Sequence, residues 1–551
     1  MTSLSTRPWF ATYPRDVPRD IDIPFDTMAQ MLDAAFKARP SKRAYACRDE
    51  AVTFGQVDDQ SRAVACFLQR LNLAPGARVA IMLPTLLCYP IVLFGILRSG
   101  YTAVCINPQY TAGELRHVLD DCGAEVMFAM PQQAILLETI RHATQVRKVV
   151  LAGPAVPRQD GPAPLSGDDF APLADVLSGG TGLGMRDPAL TADSVALLQY
   201  TGGTTGVSRG AQLSHRNLVA NVLQSQAWVL PELRKLGQDR QYTFACLLPL
   251  HHIFGLTACL LLGAHMGALT VLVANPFDVR GAVAQLAAHR VNLLPGVSTL
   301  FAAMMSDPRF GEVDFSELRV AIAGGMKLQA AVASRWEALT GCPIVEAYGL
   351  SETSPLVCCN PLDGRARPGT IGLPVPGTEV AILDRQGAPQ PAQQIGEIAV
   401  RGPQVMLGYW GNPGATREAI DAQGFFLTGD VGTMDADGFV RILERKKDVV
   451  IVGGLNVYPS EIETVAGAHE SVAECACIGV ADSSTGEAVK LFVVRKPGAV
   501  LTATQVMSHC RGSLTGYKLP KHIAFVEALP RTAVGKVSKP DLRALGASAA
   551  A

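Results

Sequence analysis

SVALLQYTGGTTGVSRG, residues 194–210, changes character halfway along: an apolar run ends at Tyr200, and a loop of glycines and hydroxyls follows. The first half reads as a strand buried on both faces, because Val, Ala and Leu follow one another with no polar alternation to mark a solvent side. In the second half Thr201, Gly202, Gly203, Thr204, Thr205 and Gly206 can turn backbone N–H groups toward an anion, with Ser208 adding a donor and Arg209 a charge. A helix is expected to begin near Asn217. The loop lacks G-K-[ST], so it is not a Walker A sequence, and taken alone it is as compatible with an ordinary turn as with a phosphate site.

Working outward, the same texture recurs. RVAIMLP (78–84), TAVCINP (102–108), AEVMFAMP (124–131) and RKVVLAG (147–153) lie upstream, separated by amphipathic stretches. One of these has Thr111 and Glu114 spaced as a capping box, Leu115, Val118 and Leu119 on one face, and Gly123 as its stop. Residues 153–188, rich in Pro, Gly, Asp and Ser, read as a surface connection. Downstream follow ALTVLVA (268–274), RVNLLPG (290–296), LRVAIAGG (318–325) and PIVEAYG (343–349), a second run of strand and helix in alternation. After Gly349 the strands shorten and turns multiply, as at 435–438, which predicts a small antiparallel β-barrel or sheet. The charged knot 444–448 precedes an α+β unit with a helix expected to be capped by Ser460 and Glu463. The fold class is therefore α/β: a large N-terminal domain (1–446) of two doubly wound units plus a small β-barrel, joined by a hinge to a small mobile α+β domain (447–551).

Composition bounds the function. With 551 residues, 48% hydrophobic and 18% charged, and a mean hydropathy of +0.21, the chain is no disordered polymer. Its 48 basic and 49 acidic residues leave a net charge of -1, which provides no field for a nucleic-acid backbone. Thirteen cysteines without a C-x-x-C pair suit a reducing compartment, and charges interrupt the N-terminal stretch before a secretory signal could form, so a cytoplasmic location is expected. Gln241 to Phe277 carries no Lys, Arg, Asp or Glu, and Leu256 to Ala274 is long enough to span a bilayer. His251, His252 and His265, three glycines and the absence of a basic flank favour a buried helix followed by a central strand.

The loop at 201–210 resembles the phosphate-binding signature of the adenylate-forming superfamily, which includes acyl-CoA synthetases, luciferases and peptide-synthetase adenylation domains. LPLHHIFG (248–255), AGGMKL (323–328), AYGLSET (347–353), GEIAVRGPQVMLGYW (396–410), LTGD (427–430), ERKKDVVIVGGLNVYPSEIE (444–463) and PRTAVGKVSK (530–539) follow in that family's order. Their wording is most similar to bacterial long-chain fatty acid CoA ligases. The resemblance implies an adenine pocket at Tyr348 and Gly349 with Gly324 and Gly325 as its other wall, Ser351 at the α-phosphate and Glu352 on a magnesium ion. It also implies Asp430 on the ribose hydroxyls, Arg445 near the nucleotide, His252 beside the acyl carboxylate, and Lys536 as the catalytic lysine of adenylation. Lys447 falls at the family's hinge, and Gly453 and Gly454 at its pantetheine channel. These roles suit the side chains: a carboxylate has lone pairs enough for two hydroxyls, and an ammonium offsets charge as pyrophosphate departs. Two departures are visible, Arg209 where the family commonly has Lys and Ser351 where it has Thr.

The implied activity is ATP-dependent conversion of a fatty acid to acyl-AMP and then acyl-CoA, with Mg2+ as cofactor and the fatty acid, ATP and coenzyme A as partners. Transfer to a separate carrier protein, and an idle acyl or nucleotide binder at a membrane, stand as alternatives. Peripheral attachment to the cytoplasmic face of the membrane and a homodimer are left open.

Overall fold

The computed structural model describes residues 7–153, 168–180, 184–201, 208–237, 240–275, 278–531 and 537–548. Its apolar runs become the parallel cores of two large sheets. In the first, six parallel strands stand in the order Val195–Thr201, Thr102–Cys105, Arg78–Met82, Val126–Ala129, Lys148–Leu151 and Phe170–Pro172. Antiparallel strands Arg209–Ser214 and Gly408–Tyr409 complete one edge. In the second, the parallel strands are Ile344–Gly349, Val320–Ala323, Leu293–Gly296, Thr243–Cys246, Leu269–Leu272 and Arg43–Cys47. Strands Thr102–Cys105, Val126–Ala129 and Leu269–Leu272 are buried at every position, as helices on both faces require.

The packing between the sheets is supplied by helices Phe54–Arg70, Cys88–Ser99 and His215–Arg234. Every residue from Tyr89 to Ser99 is buried, including Arg98, which bonds Asp58 at 2.5 Å and also meets Asp33, so its charge is paired rather than stranded. The uncharged stretch forms the helical segments Ile253–Gly255, Leu256–Leu261 (a π-helix) and Leu262–Met266, then the strand Leu269–Leu272 inside the sheet. No helix among the described residues is long and apolar enough to cross a membrane.

Three readings are refined. The expected small barrel takes the form of a four-stranded antiparallel sheet, Glu379–Leu383, Gly396–Arg401, Phe426–Met434 and Val440–Arg445. The connection at 153–188 is more than a linker: it adds Phe170–Pro172 to the sheet edge and a helix, Leu173–Gly180, that packs on Phe54–Arg70 through Gly180 against Ala63. Ser460 and Glu463 form no capping box. The helix Pro459–Gly467 starts two residues earlier than a Ser460 cap would place it, with Tyr458 at its cap, so the Ser460 hydroxyl donates to the Leu443 carbonyl and Glu463 accepts from the Cys477 N–H at 2.8 Å. That helix covers a five-stranded sheet built from residues between Val450 and Phe525.

Candidate active site

Near the carboxyl ends of their parallel strands the two large sheets are linked through Gln199 and the His251 carbonyl, the place where open α/β sheets hold ligands. The strand Ile344–Gly349 delivers Tyr348, and the turn Ser351–Thr353 beyond it delivers Ser351 and Glu352. The four-stranded sheet delivers Asp430 and Arg445, which stand opposite each other on neighbouring strands. Asp430 is 2% exposed. One of its oxygens accepts the Tyr348 hydroxyl and the other bonds Arg445 Nε at 2.7 Å. Burial and the Asp430 charge push the Tyr348 phenol well above its ordinary pKa, so it stays a donor.

Glu352 is buried beside this trio. Its Oε1 accepts the Tyr409 hydroxyl at 2.8 Å, and its backbone carbonyl accepts from the Met406 N–H at 2.8 Å. Burial raises its pKa, with the Tyr409 bond opposing the rise. Arg209 lies with its guanidinium 5.6 Å from the centre of the Tyr409 ring, close enough for a cation–π contact. Arg209, Tyr409 and Glu352 thus form a chain from one large sheet to the other.

His252 is partly buried, and its Nδ1 accepts the Phe254 N–H at 3.3 Å, capping the short helix Ile253–Gly255. The carbonyl of neighbouring His251 accepts from Gln199 Nε2 at 3.0 Å, tying this loop to the strand that leads into the glycine loop. Burial, and then the neighbouring His252, depress the His251 pKa to about 3, so that ring is neutral. Gly324 follows the strand Val320–Ala323, and a Cβ there would sit 2.9 Å from the Phe254 ring, so the aromatic packs close against bare backbone. Gly325 next to it has a positive φ of 76°, and Gly349 ends its strand against Pro355. Behind Phe254 an apolar cavity of about 40 Å3 is lined by Trp228, Leu262, Leu293, Pro295 and Ile322.

Thr201 ends its strand and pairs with Arg209 across a hairpin. The intervening Gly202, Gly203, Thr204, Thr205 and Gly206 lie outside the described residues, as does Lys536. The loop leads into the strand Arg209–Ser214, and the helix expected near Asn217 begins at His215 just after it, capped by Ser214 and Asn217. Anion binding at such a loop rests on its own backbone N–H groups and Arg209, not on a helix dipole.

Lys447 lies exposed in the short helix Lys446–Asp448, where partial desolvation lowers its pKa and Asp448 opposes the shift. Gly453 and Gly454 form the exposed tip of the hairpin joining Val450–Val452 to Leu455–Val457 and stand apart from the trio. Two residues of the site carry no local signal in the sequence. Tyr409 lies inside the motif at 396–410, and Glu346, whose carboxylate accepts from the N–H groups of Leu328 (3.2 Å) and Gly369 (3.0 Å), ties the Gly324–Gly325 turn to the Tyr348 strand.

Chemically, the buried carboxylate of Asp430 can accept from a pair of hydroxyls, and Tyr348 and Gly324 can flank a planar ring. Glu352 is a hard oxygen donor with lone pairs to spare. Comparison with known proteins identifies the family. The model of the AMP-binding enzyme family matches residues 32–410, and that of the AMP-binding enzyme C-terminal domain matches residues 461–536. The long-chain-fatty-acid–CoA ligase of Yersinia pestis is 43% identical, with 97% of each chain covered, and that of Bacillus subtilis is 34% identical over the same shares. Among solved structures, ATP-bound MatB from Rhodopseudomonas palustris superposes with a TM-score of 0.84 at 30% identity, covering 95% of this chain and 99% of its own.

Proposed function

The chain belongs to the AMP-binding enzyme family, and on that premise we propose that it activates a long-chain fatty acid to its coenzyme A thioester in two half-reactions. The acid's carboxylate oxygen attacks the α-phosphorus of ATP, forming acyl-AMP and releasing pyrophosphate. The CoA sulfur then attacks the acyl carbon, the thiol proton leaves, and AMP departs with the bonding pair. Activation is needed because a carboxylate is a poor electrophile, whereas AMP is a good leaving group.

In this reading Tyr348 stacks on the adenine against the Gly324–Gly325 turn, and Asp430 accepts from the ribose hydroxyls while Arg445 holds the carboxylate in place. Arg209, the glycine loop and Ser351 hold the phosphates, and Lys536 meets the α-phosphate as charge builds there. His252 faces the acyl carboxylate, with the apolar side chains around Phe254 at the start of the path the acid's chain takes. Glu352 fits a Mg2+ site, since this ion typically takes one or two carboxylates and leaves its other positions to phosphates and water. When bound there, the ion would supply charge neutralisation at the phosphate oxygens. The observation that carries the reading is the meeting of Tyr348, Asp430 and Arg445 with the Glu352–Tyr409 pair beside an apolar cavity.

The test is a screen of carboxylic acids from short to long chains, following pyrophosphate release and loss of the CoA thiol together. Long acids should turn over fastest in both readouts. Pyrophosphate release without thiol loss would replace CoA with a carrier protein as acceptor, and neither signal with any acid would overturn the enzyme reading.

A further inference from the structure

On the opposite side of the second large sheet, at the amino ends of its parallel strands, lies a recess of about 430 Å3. Arg39 and Lys42 reach it from the segment after the helix Met28–Ala38, and Arg234 from the last turn of His215–Arg234. Its wall also holds Gln226, His265 and Arg240. Arg240 is neutralised by Glu317 at 2.5 Å. Arg39, Lys42 and Arg234 are exposed and have no carboxylate in ion-pair range among the described residues. His265 bonds Gln226 Oε1 at 3.0 Å and is held neutral, chiefly by burial and further by Arg39, with its pKa near 4. The floor is therefore uncharged and fixed, and the rim carries three unopposed positive charges.

A helix C-terminus favours one nearby cation, which would account for Arg234 or Arg39 singly. It does not account for their convergence with Lys42, from a separate segment, around one concavity. Like charges gathered in a recess repel one another and focus their field on whatever anion enters. Two guanidinium forks and one ammonium match a ligand whose oxygens are several and negatively charged, which describes phosphate better than a lone carboxylate.

We propose that this recess is a second anion site, separate from the nucleotide site and selective for phosphate-bearing ligands. The phosphate comes either from the headgroup of an acidic phospholipid or from a free polyphosphate. These sources share their chemistry and differ in presentation.

The experiment compares the full-length protein with the triple variant Arg39→Gln/Lys42→Gln/Arg234→Gln and with each single variant. The nucleotide site is first saturated with a non-hydrolysable acyl-adenylate analogue. Inorganic tripolyphosphate is titrated in one arm; in the other, the protein is sedimented with phosphatidylcholine vesicles with and without phosphatidylglycerol. The native protein should bind one probe, and the triple variant should bind it on the order of a hundredfold more weakly, each single variant contributing a part. The loss should shrink at high salt, while turnover of a soluble short-chain acid stays unchanged. Binding of tripolyphosphate identifies a free ligand, and binding of the acidic vesicles alone identifies a headgroup. Equal binding of both probes by native and variant proteins, or no binding of either by the native protein, would overturn the site. Should the triple variant fail to fold, Lys42→Gln decides alone, since Lys42 lies outside any helix or strand.

Discussion

The Tyr348 hydroxyl donates to the same carboxylate, Asp430, whose other oxygen is held by Arg445, so an aromatic ring from one sheet and an acid–base pair from another are locked together by the protein's own bonds. Such preorganisation means that little reordering is needed when a nucleoside binds.

Asp430→Ala should therefore act on nucleotide binding more than on folding. It removes a charged acceptor of hydrogen bonds, worth about 1.5–3 kcal/mol each, so the KM for ATP should rise on the order of 100-fold. Tyr348→Phe keeps the ring and loses one donor, and should cost about tenfold or less. Initial rates against ATP concentration, with melting temperatures measured alongside, check both. A larger effect from Tyr348→Phe than from Asp430→Ala would reverse the assignment.

Glu352 lends itself to a test in which activity and stability move in opposite directions. Burial raises its pKa in the folded protein, so the folded state holds the proton more tightly than the unfolded chain. Its contribution to stability is full below the unfolded carboxylate pKa and is lost as pH rises through the raised value. At neutral pH the carboxyl, which is ionised in the unfolded chain, thus opposes folding. Glu352→Gln keeps the Tyr409 hydrogen bond and removes that charge, so it should melt higher than the native protein at neutral pH. The gain should vanish near pH 4, where the native carboxyl is itself protonated. Adenylation at limiting magnesium should fall steeply in the same variant.

The contact between Gly324 and Phe254 bears on substrate length. A Cβ at 324 would approach the ring to 2.9 Å, so Gly324→Ala must push Phe254 toward the apolar cavity it lines. A displacement of methylene size changes discrimination by about 10- to 200-fold. We expect kcat/KM for long acids to drop by at least the lower figure, while short acids are spared. A uniform loss across chain lengths would place the effect at the nucleotide instead.

What the sequence allowed and what it hid have physical reasons. The parallel strands were legible because burial on both faces leaves an unbroken apolar run, as in Thr102–Cys105. The Thr111–Glu114 capping box was legible because its partners are three residues apart and both bonds are present. The same pattern misled at Ser460, because Pro459 takes the first helical position and turns Ser460 away from the cap. Tyr409 stayed hidden because its strand is only two residues long and is fixed by pairing with Arg209–Ser214, far away in the chain. The Asp430–Arg445 pair depends on register across a bulge between Val431 and Gly432, which local composition does not encode.

The two half-reactions can be separated by substitution. Glu444 precedes Lys447, while Ser460 and Lys539 follow it. In the observed arrangement Lys539 Nζ bonds Glu444 at 3.1 Å and the Ser460 N–H bonds it at 2.9 Å. Rotation about Lys447 must break both, whereas the Arg543–Asp448 pair at 2.5 Å joins two groups beyond the pivot and can travel with the small unit. If rotation exchanges the Lys536 loop for the Gly453–Gly454 tip, each half-reaction has its own sensitive residue. Lys536→Ala should nearly abolish acyl-AMP formation and leave thioester formation from supplied acyl-AMP largely intact. Gly454→Trp should do the reverse, because a Cβ at this tip meets nothing within 4 Å in the arrangement seen, yet an indole would fill the space that pantetheine needs after rotation. Gly454 has a φ of 85°, so any side chain there is strained by about 1–2 kcal/mol. Gly454→Ala carries that strain without the bulk and serves as the control, with both steps expected near native rates. Single-turnover measurement of each step in all three variants decides the matter. Equal slowing of both steps by Lys536→Ala, or normal thioester formation by Gly454→Trp, would mean that a single arrangement of the two units serves both reactions.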